Sequence, residues 1–232
     1  MHEQRSPNCG PRKNGLTPRL IVLHYTAMQS ATGAIDWLCA PEAQVSAHYV
    51  IARDGAVTQL VPEDLRAWHA GRGQWGGCWD VNSASIGIEL DNDGVSPFAA
   101  PLMASLEALL AEMMTRWALG PAQVIGHSDL APGRKIDPGP RFDWRRLARG
   151  GHAIWPSAED LAATGAVPVD AARFASDLAT FGMTHPVDPE TRLAALRARF
   201  RPGATGPLAE QDMCLAATLA RRWPVDPTLG QG

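Results

Sequence analysis

The sequence predicts a mixed α/β domain followed by a small helical one. Three observations carry this. Ile86-Gly87-Ile88-Glu89-Leu90 alternates strictly between apolar and other residues, the period-2 signature of a strand with two different faces. Leu102, Leu106, Leu109, Leu110, Met113 and Trp117 recur at helical spacing and define one amphipathic helix. Beyond Trp155-Pro156 strand signals stop and helical stripes take over. Loose alternation of strands and helices, with a hairpin among them, predicts a mixed sheet flanked by helices.

The elements follow in order. Leu20-Ile21-Val22-Leu23 is a short apolar run after a Pro/Gly-rich lead and predicts a buried strand ending at His24. Gly33 to Cys39 fits a short helix, and Ser46 to Ile51 a second strand. Arg53-Asp54-Gly55 is a turn signal, with Ala56 to Val61 as the returning hairpin strand. Residues 66–85 are rich in Gly and Trp without periodicity, so a long loop is expected. After the helix, Gln123-Val124-Ile125 predicts a short strand that ends in Gly126-His127, and Ser128 to Phe142 a Pro/Gly loop. In the C-terminal part, Ala171, Phe174, Leu178 and Phe181 form one stripe. Asp188-Pro189 reads as an N-cap with Pro in the first turn of a helix through Leu193, Leu196 and Phe200. Leu208 to Arg222 gives a third helix. The expected division is residues 1–156 and residues 157–232, the second unit being near the lower size limit for independent folding.

Composition excludes several classes. The 232 residues carry a formal net charge of -3, so the basic footprint needed for nucleic acid is missing. No apolar run approaches a membrane span. The N-terminus, Met1-His2-Glu3-Gln4-Arg5, has no apolar h-region, and a cytoplasmic location is the expectation; a trimmed sequence would make it periplasmic or wall-associated. Cys9, Cys39, Cys78 and Cys214 are scattered, with no CxxC pair, and predict unpaired structural thiols.

Chemistry is expected at the histidines. A lone His is commonly structural. His24 and His127, however, both follow strands, and Asp137 lies on the loop after His127. If the strand ends converge, two imidazoles and a carboxylate fill three of zinc's four positions. Glu89 faces away from the Ile86/Ile88/Leu90 side of its strand; it is either a pocket carboxylate or a surface one. Lys135 precedes Asp137 by two, so an extended loop would project both to one side.

A resemblance sharpens these alternatives. Leu23-His24-Tyr25-Thr26-Ala27, Ser46-Ala47-His48-Tyr49, Ala67-Trp68-His69-Ala70-Gly71, Ser85-Ile86-Gly87-Ile88-Glu89, Gly126-His127-Ser128-Asp129 and Pro132-Gly133-Arg134-Lys135-Ile136-Asp137-Pro138-Gly139-Pro140 resemble, in order, the blocks of the amidase-2 family. These N-acetylmuramoyl-L-alanine amidases are grouped with the peptidoglycan-recognition proteins. The resemblance covers about residues 18–148. It implies zinc on His24, His127 and Asp137, with Glu89 and Lys135 in catalysis. It also implies a peptidoglycan or muropeptide substrate, cut between N-acetylmuramic acid and L-alanine during wall turnover or recycling. The rivals are a non-catalytic peptidoglycan-binding protein, disfavoured by the full ligand set, and a zinc peptidase acting within the stem peptide. Trp68, His69, Trp75 and His48 are candidates for substrate contact. The Trp faces suit sugar rings and equally suit packing, and His48 is also readable as a buried structural residue.

Phe181-Gly182, Leu193 to Phe200, Arg201-Pro202-Gly203 and Leu208 to Leu219 resemble the three-helix peptidoglycan-binding module appended to some of these amidases. Ala195 and Arg197 stand where that module has its aromatic and Gln positions.

Overall fold

The computed structural model describes residues 1–229. Its centre is a six-stranded sheet in the order β1-β5-β4-β7-β3-β8. These strands are β1 (His2–Glu3), β3 (Leu20–Tyr25), β4 (Tyr49–Ile51), β5 (Val57–Gln59), β7 (Ser85–Leu90) and β8 (Val124–Gly126). Only the β4–β5 pair is antiparallel, as the Arg53-Asp54-Gly55 turn predicts. A separate antiparallel ribbon joins β2 (Cys9–Pro11) to β6 (Leu65–Ala67).

The central strand β3 is apolar without interruption because it is covered on both faces, as parallel strands with helices above and below must be. Ile21 and Leu23 join Ile86, Ile88 and Leu90 of β7 in one core. Helix α3 (Ala100–Trp117) closes that face with Leu102, Met103, Leu106, Leu110 and Met113. Leu20 and Val22, one pleat over, enter a second core shared with the C-terminal helices. A third, smaller core holds α1 (Ala31–Cys39) through Leu38 against Ala47, Val50 and Leu60.

Two short helices lead into and out of the strand ends that matter for the site. Helix α2 (Val81–Ala84) runs directly into β7, capped by Asp80. Helix α4 (His127–Leu130) begins where β8 stops. The expected loop over 66–85 is therefore partly ordered secondary structure, in β6 and α2. These pieces are three and four residues long, too short for any period to declare itself. The second predicted strand starts later than expected, at Tyr49, and α5 (Trp144–Arg149) was not signalled.

The C-terminal part contains α6 (Ala158–Thr164), α7 (Ala171–Phe181), α8 (Pro189–Phe200) and α9 (Glu210–Arg222). The three expected helices are α7 to α9. The additional α6 has a sequence signal after all, a Ser157/Asp160 capping box. Asp188 caps α8 by accepting a hydrogen bond from the Thr191 backbone N–H at 2.8 Å, with Pro189 in its first turn. Phe174, Leu178, Phe181, Leu196, Phe200 and Met213 pack in one continuous apolar cluster with Leu20, Val22, Trp75, Ile125 and Leu130 of the sheet-containing part. Among the described residues no helix is long and apolar enough to cross a membrane.

Candidate active site

The site forms where β3, β7 and β8 end. These strands are parallel neighbours, and ligand sites in such sheets sit beyond the carboxyl ends of the strands. Register places His24 of β3 beside Glu89 of β7. Both project to the face opposite α3, because Ile21, Leu23, Ile88 and Leu90 take the α3 side. β8 delivers His127 as the first residue of α4.

Asp137 arrives ten residues later through a folded loop. The backbone N–H groups of Arg134 and Lys135 both donate to the Ala131 carbonyl. Gly133 takes a left-handed conformation at φ +77°, which a side chain would resist. The Ser128 N–H then donates to the Asp137 carbonyl at 2.9 Å and closes the loop. Arg134 fastens its outer edge, donating to the carbonyls of Ala70 and Arg72 at 2.6 and 2.7 Å.

His24 Nδ1, His127 Nδ1 and Asp137 Oδ2 lie 2.9 Å from one another in a closed triangle. All three residues are buried. The outward nitrogens of both rings fix their tautomers. His127 Nε2 sits 2.8 Å from the Ala70 carbonyl and 3.1 Å from Arg134 Nη2. The arginine donates to that same carbonyl at 2.6 Å, and the nearer, acceptor-only carbonyl places the proton on Nε2 and turns the Nδ1 lone pair inward. Ser85 donates its hydroxyl to the Val81 carbonyl and lies 3.2 Å from His69 Nε2. His69 therefore donates to Ser85 and presents a bare Nδ1, 3.0 Å away, to His24 Nε2. His24 donates there and, like His127, turns a lone pair to the triangle. Burial and the neighbouring His127 pull the His24 imidazolium down to about 4. Burial, then His24, also lowers His69 well below the usual imidazole range. Asp137 is the reverse case: burial opposes its charge, yet the two imidazoles hold it below the usual carboxylate range. Neutral imidazoles and a carboxylate, oriented by outer hydrogen bonds, are the donor set and second layer of a metal site. The group fits a single cation.

The triangle opens into a cleft of about 600 Å³ lined by Glu89, Lys135, Trp68 and His69, with Trp37 and Ile136 on its rim. Glu89 is the anomaly within it. Its Oε2 is buried without a hydrogen-bond partner. Burial, reinforced by the charge of Asp137, raises its carboxyl to about 8. Gly87 leaves room beside it: a Cβ there would stand 2.4 Å from the His69 ring, so only glycine lets His69 reach His24.

Of the expected site residues, the structure gathers His24, His127, Asp137, Glu89, Lys135, Trp68 and His69 at this cleft. Two expectations are corrected. His48 is fully buried and away from the cleft; its Nδ1 accepts from the Gly87 N–H at 2.9 Å and its Nε2 lies 3.1 Å from the Leu65 carbonyl. It ties β7 to the start of β6. Trp75 is buried edge-to-face against Phe181, with ring centroids 5.2 Å apart. Its large apolar area is taken up in the seam with the C-terminal helices. Sequence reasoning missed Trp37, whose signal was an exposed apolar residue off the Ala34/Leu38 stripe of α1. It also missed Arg134 and Ser85, which act through backbone neighbours and leave no pattern. Ala195 and Arg197, at the module's expected glycan positions, are buried, and Arg197 pairs with Asp212 of α9.

Comparison with known proteins agrees with this geometry. Residues 14–140 match the family model of N-acetylmuramoyl-L-alanine amidases. The N-acetylmuramoyl-L-alanine amidase AmiD of Escherichia coli is 33% identical, over 79% of this chain and 75% of that protein. The 1,6-anhydro-N-acetylmuramyl-L-alanine amidase AmpD of the same species is 36% identical, over 61% of this chain and 87% of that protein. The structure of E. coli AmiD with anhydro-N-acetylmuramic acid-L-Ala-D-gamma-Glu-L-Lys superposes with a TM-score of 0.80 at 30% identity, covering 99% of this chain and 94% of that one. That of AmpDh3 from Pseudomonas aeruginosa with an anhydromuramic pentapeptide gives 0.79 at 28% identity, covering 96% of each. With the family model matched over more than half its length and the His24–His127–Asp137 triangle in place, this chain belongs to the N-acetylmuramoyl-L-alanine amidase (amidase-2) family.

Proposed function

We propose that the chain hydrolyses the amide between the lactyl group of N-acetylmuramic acid and the L-alanine of the stem peptide, using zinc held by His24 Nδ1, His127 Nδ1 and Asp137 Oδ2. The substrates are peptidoglycan or its anhydro-muropeptide fragments, in wall turnover or recycling. The observation that carries this is the closed triangle of three inward-facing donor atoms beside Glu89, whose buried Oε2 has no partner. Zinc at such a site supplies Lewis-acid polarisation of a carbonyl and activates water near neutral pH. The AmiD and AmpDh3 structures with anhydromuramic peptides support the substrate class.

The chain's own groups do the rest. Glu89 takes the proton of the attacking water and returns it to the leaving amine of L-alanine. Burial raises this carboxyl in the metal-free protein; a cation on the neighbouring triangle would draw it back down, toward the range in which one group can serve as base and then acid near neutrality. Lys135 faces the cleft and stabilises the oxyanion that develops on the scissile carbonyl. Trp68 lines the wall and offers a flat apolar face to the substrate. Residues 1–156 carry this chemistry, and the described residues from 157 onward form the helical unit behind it.

Digestion of anhydro-muropeptides and of intact sacculi, followed by mass analysis of the products, tests the proposal. Release of free stem peptide beginning at L-alanine is expected. Zinc-replete protein that releases none from either substrate refutes it, and cleavage within the stem would make the chain a peptidase instead.

A further inference from the structure

We infer that Arg199, on helix α8 of the C-terminal unit, is a positioning residue for the metal centre. The helical unit is thus part of the active-site scaffold rather than a passive appendage.

Arg199 is buried and crosses between the two parts of the chain. It pairs with Asp129 of α4, two residues beyond His127, and both partners are almost wholly covered. Its Nη2 also donates to the Val124 carbonyl of β8 at 3.3 Å, and its guanidinium lies 4.0 Å over the Trp144 ring. Asp129 in turn accepts from the Gly126 N–H at 2.7 Å through the same Oδ2 that meets Arg199. That bond caps the first turn of α4, whose first residue is His127. One oxygen therefore joins the α8 arginine to the backbone that aims His127 at the triangle. A buried carboxylate deprived of its cation would be uncompensated and would leave that position.

A second contact falls on the same loop. Gly133, at the turn that returns the chain to Lys135 and Asp137, lies so close to Thr191 of α8 that a Cβ would stand 2.8 Å from the threonine methyl. Helix α8 thus backs the ligand-bearing segment at its start and at its turn. Arg197, two residues earlier and so on another face of the same helix, provides the contrast. It is also buried and paired, but with Asp212 of α9 and the carbonyls of Gly206 and Pro207, all inside the helical unit.

The inference rests on the metal assignment above, and the experiment separates the two. Zinc affinity is measured by chelator competition on full-length wild type, Arg199→Met, Arg199→Lys and Arg197→Met, with folding checked by circular dichroism and kcat and KM determined at saturating zinc. Arg199→Met is expected to bind zinc about 10–100-fold more weakly, the usual consequence of losing an outer-layer partner. Its kcat should fall while KM changes little, and Arg199→Lys should recover part of the affinity. Arg197→Met should melt earlier yet bind zinc as wild type does. Wild-type affinity and kcat in Arg199→Met overturn the inference, as does equal weakening in Arg197→Met. If Arg199→Met fails to fold, Arg199→Lys and Asp129→Asn decide by the same ranking against Arg197→Met. Wild-type protein that takes up no zinc overturns the metal assignment and this inference together.

Discussion

The cleft and the Asp212 cluster of the helical unit both bury charged groups, but they treat them differently. In the helical unit every acceptor oxygen of buried Asp212 is used, by Arg197, by Arg201 and by the Ala209 N–H. In the cleft, three lone-pair-bearing atoms face one another and Glu89 Oε2 has no partner. Buried polar groups in a stable protein are almost always satisfied. Neither burial nor a single unpartnered atom marks a functional site, since Asp177, His185, Arg192 and Arg199 each bury one as well; convergence of two imidazoles and a carboxylate on one point does. The Asp212 cluster is closed within the helical unit, whereas the donor atoms of the cleft converge on a point that no side chain fills.

Substitutions can break or sharpen this contrast. The largest effect is expected from His127→Ala, which should abolish both zinc binding and turnover; stoichiometric zinc in the purified variant would exclude His127 as a ligand. Glu89→Gln should retain zinc and lose about 10²–10⁴-fold in kcat, the usual contribution of a general acid–base. Metal analysis beside steady-state kinetics checks this, and near-normal turnover would move the base elsewhere. On the satisfied side, Trp75→Ala should cost about 3–5 kcal/mol of stability while zinc affinity stays unchanged, read by denaturant unfolding and chelator competition. The smallest effect is a pH dependence in metal-free protein. Glu89 is raised from its ordinary 4.5 to about 8, so the folded state favours its protonated form. The resulting stability is fully present below about pH 4.5 and is lost as pH rises through about 8. Relative to Glu89→Gln, metal-free wild type should therefore lose melting temperature across that window. A constant difference between the two would show that the buried carboxyl is not raised.

The legibility of the molecule follows the same line. Alternation in β7 and the helical stripe of α3 were readable because each spans enough residues for its period to register against a buried face. The blocks around His24, Glu89, His127 and Asp137 were readable because the chemistry demands those residue types. The strands β1, β2 and β6 were not, since two or three residues carry no period and their pairing is set by partners distant in sequence. Trp75 and His48 stayed open between cleft and core for a related reason. An aromatic or an imidazole looks the same in a sequence whether it faces a cleft or a core. Gly182, whose missing Cβ makes room for the Trp75 ring, decides the first case, and the Gly87 N–H decides the second.

The sequence by itself determined the α/β class, the helical character after residue 156, the candidate ligands and the pair of residues placed to assist them. Tertiary structure alone decided that His69 and Ser85 set the tautomer of His24, that Glu89 is left without a partner, and that Arg199 reaches Asp129 from 70 residues away. Residue type and short-range period are properties of the chain. Hydrogen-bond partners and desolvation belong to the packed state, where distance in space replaces distance in sequence.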